Sequence, residues 1–154
     1  MTLRRAGAED AATLAALNTH VQSWHAAQYP DVFFARPDPE GLVQWFADRL
    51  RDPACTAFLV GEPPAGYALC SLQSREASVF SPAIRRLMVD HIGVAPEARR
   101  QGYGRELLEA ARGLARELGV DEILLDTWEA NTEAQAFFRA AGFSPRRMLF
   151  RATP

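Results

Sequence analysis

Apolar residues recur at spacings of three and four near the N-terminus, at Leu14, Leu17 and Val21. That period predicts an amphipathic helix opening at Glu9 or Asp10. The same spacing at Leu42, Val43, Phe46 and Leu50 predicts a second helix from about Pro39 to Leu50. The strongest stripe is Leu107, Leu108, Ala111, Leu114, Ala115 and Leu118, which predicts a helix over 105–118 closed by Gly119 in a left-handed cap. A fourth helix is expected over Thr132 to Ala141, ended by Gly142. Between these lie strand-like runs at 3–5, 56–60, 66–72, 86–94, 122–128 and 148–151. Pro63-Pro64 joins the second and third as a hairpin, and Gly93 inside the fourth marks a bulge or a point of close backbone approach. Pro30, Pro37 and Pro39 enclose an aromatic loop containing Tyr29, Phe33 and Phe34.

With 154 residues, one domain spanning 1–154 accounts for the whole pattern. The chain is 48% hydrophobic and 23% charged, which excludes a disordered or collagen-like protein. Its net charge of -2 argues against nucleic-acid binding by bulk electrostatics. No apolar run is long enough to span a bilayer, and no signal core follows Met1, so a cytoplasmic protein is expected. Cys55 and Cys70 are too few for a disulfide framework and read as small packed hydrophobes. No Cys/His/carboxylate cluster has metal-ligand spacing, so no metal is expected.

The most informative stretch is Arg99-Arg100-Gln101-Gly102-Tyr103-Gly104, between a strand and the best helix. The first N–H groups of a helix lack internal partners and carry partial positive charge. Glycines let an anion approach them, and Arg99 and Arg100 add charge, so the stretch suits a phosphate or pyrophosphate. It is not a Walker A loop, because Arg105 and Glu106 stand where Lys and Ser/Thr belong. It is not a dinucleotide fingerprint, because Leu107 stands where the third glycine belongs. A plain glycine turn with solvated arginines is the bland alternative.

The pattern Arg99-x-x-Gly102-x-Gly104 resembles the acetyl-CoA pyrophosphate loop of the GNAT N-acetyltransferase superfamily. Further on, Asn131-x-x-Ala134-x-x-Phe137-Phe138-x-x-x-Gly142-Phe143 is similar to that superfamily's second signature. The two signatures and the strands between them cover roughly 86–151. The resemblance implies a mixed α/β domain: a mostly antiparallel central sheet with one splayed parallel strand pair, flanked by helices. It implies acetyl transfer from acetyl-CoA to a primary amine by direct attack, and a homodimer as one assembly.

Carried over by residue, the resemblance implies that Ile92, Gly93 and Val94 pair with the pantetheine arm. An amide at Ile92 or Gly93 would polarise the acetyl carbonyl. Main-chain amides from Arg100 to Arg105 (Gln101, Gly102, Tyr103 and Gly104 between them) would hold the pyrophosphate. Asn131 would bond the pantetheine arm, cap its own helix, or do both. Phe138 stands where many relatives carry a tyrosine thought to protonate the departing thiolate, and it cannot do so. Neither cysteine sits in the implied acyl site, so no covalent enzyme intermediate is expected.

A base must free the amine's lone pair. Members of the family it resembles often place this base on the strand before the loop, on the face that meets the substrate. Strand alternation puts Met88, Asp90 and Ile92 on one face and Val89, His91 and Gly93 on the other, so the resemblance implies Asp90 as base over His91. Glu129 is a weaker candidate, and an ion pair with Arg85, Arg86 or a helix arginine is the structural alternative for Asp90. Trp24, His25, Tyr29, Phe33 and Phe34 are candidates for folding over the acceptor site, with Asp31, Asp38, Asp126 and Glu129 to attract a cation. A non-catalytic acyl-CoA-binding module and a fold-only interaction domain stay open as other readings.

Overall fold

The computed structural model describes residues 2–154. One five-stranded sheet carries the fold, in the spatial order β1 (Leu3–Arg5), β2 (Cys55–Val60), β3 (Gly66–Arg75), β4 (Ile84–Val94) and β5 (Ile123–Leu125). Neighbours are antiparallel except the last pair, in which β5 runs parallel to β4. Four helices accompany it: α1 (Ala11–Gln28), α2 (Pro39–Arg51), α3 (Tyr103–Glu117) and α4 (Thr132–Ala140). No helix among the described residues is long and apolar enough to cross a membrane.

Local sequence explains the helix ends. The Asp38 carboxylate accepts the Gly41 N–H at 2.7 Å, with Pro39 at the first helical position and Arg49 and Arg51 in the last turn of α2. Asn131 caps α4 in the same way. Gly119 and Gly142 take positive φ past α3 and α4, as their positions predict.

Both sheet faces are covered, so the strands alternate between two cores. Phe58, Val60, Ala68, Cys70, Leu87 and Val89 pack against Leu107, Ala111 and Leu114 of α3. On the opposite face, Ala57, Leu59, Tyr67 and Leu69 pack against Leu14 of α1 and Phe46 of α2.

Three expectations are corrected. The bulge lies not at Gly93 but at Asp90: Leu69 pairs with His91 and Cys70 with Val89, leaving Asp90 opposite nothing on β3. The extra residue breaks the alternation. Ile92 packs with Val89 on the α3 side, whereas Asp90 and His91 both line a cavity on the α2 side. Gly93 serves close packing instead, since a Cβ there would meet Val21 at 2.6 Å and Tyr67 at 3.2 Å.

The strand expected over 122–128 stops at Leu125 because the chain leaves β4 there. The strand expected over 148–151 does not form. Met148, Leu149 and Phe150 are exposed, and their segment is held by ion pairs of Arg146 with Glu122 (3.7 Å) and Arg151 with Asp31 (3.1 Å). Apolar, extended residues make a strand only where a neighbouring strand meets them.

Candidate active site

Three features meet where β4 and β5 part. The first is the turn into α3. Arg100 has φ of 65° and Gly102 φ of 88°, so the chain curls through two left-handed residues before the helix begins. Such successive turns aim main-chain N–H groups into one concavity. Glu106 N–H bonds the Gly102 carbonyl at 3.1 Å, while Arg100 through Arg105 donate to no loop or cap carbonyl. A Cβ on Gly102 would meet nothing within 4 Å, so the space over the turn is open. Gly104 matters for packing: a Cβ there would press on the Phe137 ring at 3.0 Å, so its bareness lets α4 approach α3. Arg99 and Arg100 are exposed, and the Arg99 Nε reaches the Val94 carbonyl only at 3.5 Å. The cradle fits a diphosphate by its chemistry: N–H donors that reach no loop or cap carbonyl among the described residues, bare α-carbons and two exposed guanidinium groups free of ion pairs among those residues.

The second feature is the splay. The parallel ladder has rungs at Leu87–Ile123, Met88–Leu124 and Val89–Leu125, and none beyond. From Asp90 to Val94, the edge of β4 facing β5 has no strand partner. This gap leads from the bulge to the α3 turn and offers an unpaired strand edge to one extended chain. Ile92 and Val94 are partly buried, packing their side chains on the α3 core while their backbone borders the gap.

The third is a cavity of about 270 Å³ beneath α2, walled by Trp45, Arg49, Cys55, Leu69, Met88 and His91, with Asp90 and Asp126 at its rim. The bulge is what aims Asp90 into it. Among the described residues Asp90 makes no ion pair: Arg85 donates to the Leu118 carbonyl, and Arg86 serves Gln73 and Glu122. His91 is packed instead. Its ring stacks on Trp45 at 5.4 Å and stands edge-on to Phe46 and Tyr67. Asn18 donates to the Tyr67 hydroxyl at 2.8 Å, which in turn faces the His91 Nδ1 at 3.3 Å. Burial pushes the His91 pKa below its usual value and so favours the neutral ring.

The other expected residues sort themselves by position. Asn131 Oδ1 accepts the Ala134 N–H at 3.1 Å, which makes it a helix cap. Phe138 is buried among Phe137 and Phe143, at ring distances of 5.5 and 6.2 Å. The aromatic loop closes on the end of β5, with Tyr29 and Phe33 against Trp128 at 4.4 and 5.4 Å and the Tyr29 hydroxyl accepting the Ala130 N–H. Asp31 is paired with Arg151 and Asp38 caps α2, so neither joins the cavity, and Glu129 is not among its lining residues. Trp45 and Arg49 went unnoticed in the sequence because they lie off the apolar stripe of α2. Their i, i+4 spacing places them on one helix face, and the Arg49 guanidinium sits 5.3 Å from the Trp45 ring.

Residues 18–143 match the sequence profile described as the Acetyltransferase (GNAT) family. A 74-residue stretch, 47% of this chain, is 36% identical to N-acetyltransferase 8 of Homo sapiens, and it spans 33% of that protein's length. The fold is also that of a tetramutant of the BH1408 protein from Bacillus halodurans, with TM-score 0.91, 21% identity and 100% of each chain covered. The aminoglycoside N-acetyltransferase AAC(6')-Iy, solved in complex with CoA, superposes with TM-score 0.77 at 17% identity, over 99% of this chain and 93% of that one.

Proposed function

The chain belongs to the Acetyltransferase (GNAT) family, and from that premise we propose that it moves an acetyl group from acetyl-CoA to a primary amine by direct attack. Three observations support the reading: an N–H turn open to solvent, an unpaired β4 edge that precedes it in the chain, and a carboxylate lining a cavity at the start of that edge. The CoA-bound aminoglycoside N-acetyltransferase of the same fold supports the choice of co-substrate.

Main-chain N–H groups from Arg100 to Arg105 hold the diphosphate, with Arg99 and Arg100 adding positive charge. The edge from Ile92 to Val94 pairs with the pantetheine arm, and Asn131, its Oδ1 already used by the cap, offers its amide N–H groups to it. When bound, acetyl-CoA supplies the thioester carbon that the amine attacks. A main-chain amide at Ile92 or Gly93 stabilises the negative charge that develops on the carbonyl oxygen. An amine with a pKa near 10 is mostly protonated at neutral pH, and Asp90 takes its proton directly or through water. A C–N bond forms, the C–S bond breaks, the attacking nitrogen gives up its second proton to solvent to leave a neutral amide, and CoA leaves as a thiolate that takes a proton. Phe138 cannot supply that proton, but a thiol of pKa about 8.5 is a good enough leaving group to take it from solvent.

Neither cysteine serves as a nucleophile. Burial pushes the Cys70 thiol up to about 12, and it raises Cys55 as well, so both stay protonated. Phe138 favours one second reading, a module that binds acyl-CoA without turnover. Thiol release from acetyl-CoA across a panel of primary amines decides between them: amine-dependent release is expected, and its absence beside intact CoA binding favours the module.

A further inference from the structure

The cavity under α2 holds opposite charges that do not meet. Arg49 makes no ion pair among the described residues, and its buried Nε has no hydrogen-bond partner. An unpaired polar atom of this kind is uncommon in a folded protein and marks a place where a partner belongs. The Arg49 guanidinium instead lies over the Trp45 ring at 5.3 Å, and Trp45 is itself stacked on His91 at an interplanar angle of 8°. Asp90 and Asp126 share the same cavity and are likewise free of ion pairs among the described residues. With His91 neutral, the lining carries one positive and two negative charges.

This arrangement discriminates among amines. A polyamine would satisfy the aspartates but place a second cation against Arg49. An aminoglycoside would bring several ammonium groups to a lining with a single excess negative charge. A zwitterion satisfies both poles. We infer that the acceptor is a small amino acid, its ammonium between Asp90 and Asp126, its carboxylate on Arg49, and its side chain against Leu69 and Met88.

The assignment rests on the acetyl-transfer reading for its chemistry, because the bonds formed and broken are those given above. The Arg49–carboxylate contact is geometrically suited to a planar fork. Only a guanidinium offers that fork, so Lys is an incomplete substitute.

The test compares free amino acids with their carboxamides: glycine, leucine and phenylalanine against glycinamide, leucinamide and phenylalaninamide, with putrescine as a dication. CoA release is followed with the native protein, Arg49→Gln and Arg49→Lys. A charge-assisted hydrogen bond corresponds to a preference of about 10- to 100-fold in kcat/KM for the free acid. Arg49→Gln should bring the ratio near one, mainly by raising KM for the acid, and Arg49→Lys should recover part of it. Calorimetric CoA titration of each variant shows that the fold and the other half of the site survive.

Equal or better use of the carboxamides or putrescine by the native protein overturns the assignment. If no amine turns over, calorimetry of leucine against leucinamide still decides it: tighter leucine binding that Arg49→Gln abolishes upholds the pocket, and no difference overturns it. Failure of CoA to bind sinks the transfer reading alone.

Discussion

Asp90 and Asp126 occupy the first positions past the last parallel rung, Val89 against Leu125, and line the same cavity. Asp90 points there because it is the extra residue of a bulge, and Asp126 because β5 ends one residue earlier. The place where the strands separate is therefore also where two carboxylates, free of ion pairs among the described residues, line one cavity. Such a pair suits an incoming ammonium, with one carboxylate free to accept its proton.

These two aspartates should separate by role. Asp90→Asn keeps the shape but removes the base, so kcat should fall about 10²- to 10⁴-fold. Asp126→Asn should chiefly raise KM for the amine. Steady-state rates check both, and an unchanged kcat in Asp90→Asn would transfer the role of base elsewhere.

Gly102 and Gly104 should also differ. Gly102→Val forces a β-branched residue into a left-handed backbone at φ 88° beside the free N–H groups. CoA affinity should drop at least about tenfold with the helix otherwise kept, since about 1.4 kcal/mol of lost contact suffices for that factor. Gly104→Ala meets Phe137, so its effect should be on melting temperature before affinity. Calorimetry and thermal unfolding on the two variants read this contrast.

Direct transfer predicts that no acetyl group lodges on the protein. Intact-mass measurement after mixing with acetyl-CoA should show an unmodified chain. A hydroxylamine-labile adduct at Cys55 would contradict the protonated, unreactive state its raised pKa implies.

Stability should depend on pH through Asp10. Bidentate hydrogen bonds from Arg4 at 2.8 Å lower its pKa to about 2. A depressed carboxylate stabilises the fold above its unfolded pKa and loses that contribution as pH falls from about 4 through about 2. Because Arg4 is half exposed, Asp10→Asn should cost about 1 kcal/mol at neutral pH and less in acid. His25 and His91 act at higher pH: both have lowered pKa values, so the unfolded chain takes up protons below about 6.5 and stability falls there. Denaturant titrations at a series of pH values from acid to neutral follow both trends.

Much of the fold was legible in the sequence because its signals are local. The α3 stripe, the Asn131 cap, and the left-handed glycines at 119 and 142 each depend on a few neighbouring residues. The Arg99–Gly104 turn was legible for the same reason. The bulge was not, since it is defined by what Leu69 and Cys70 meet across the sheet. The faces of His91 and Ile92 were misassigned in consequence, while Asp90 shares the cavity with Met88 as alternation has it. Trp45 and Arg49 were missed because their meaning lies in a tertiary stack with His91. The sequence around Phe150 reads as a strand, yet pairing requires an edge that the chain does not bring to it.

The sharpest single measurement is calorimetric titration of the native protein with CoA and, separately, with pantetheine, which carries the arm but no diphosphate. The account predicts clear saturable binding of CoA and loss of most of that affinity with pantetheine. Equal affinity for the two, or no binding of CoA, would contradict the assignment of the turn before α3 as its anchor.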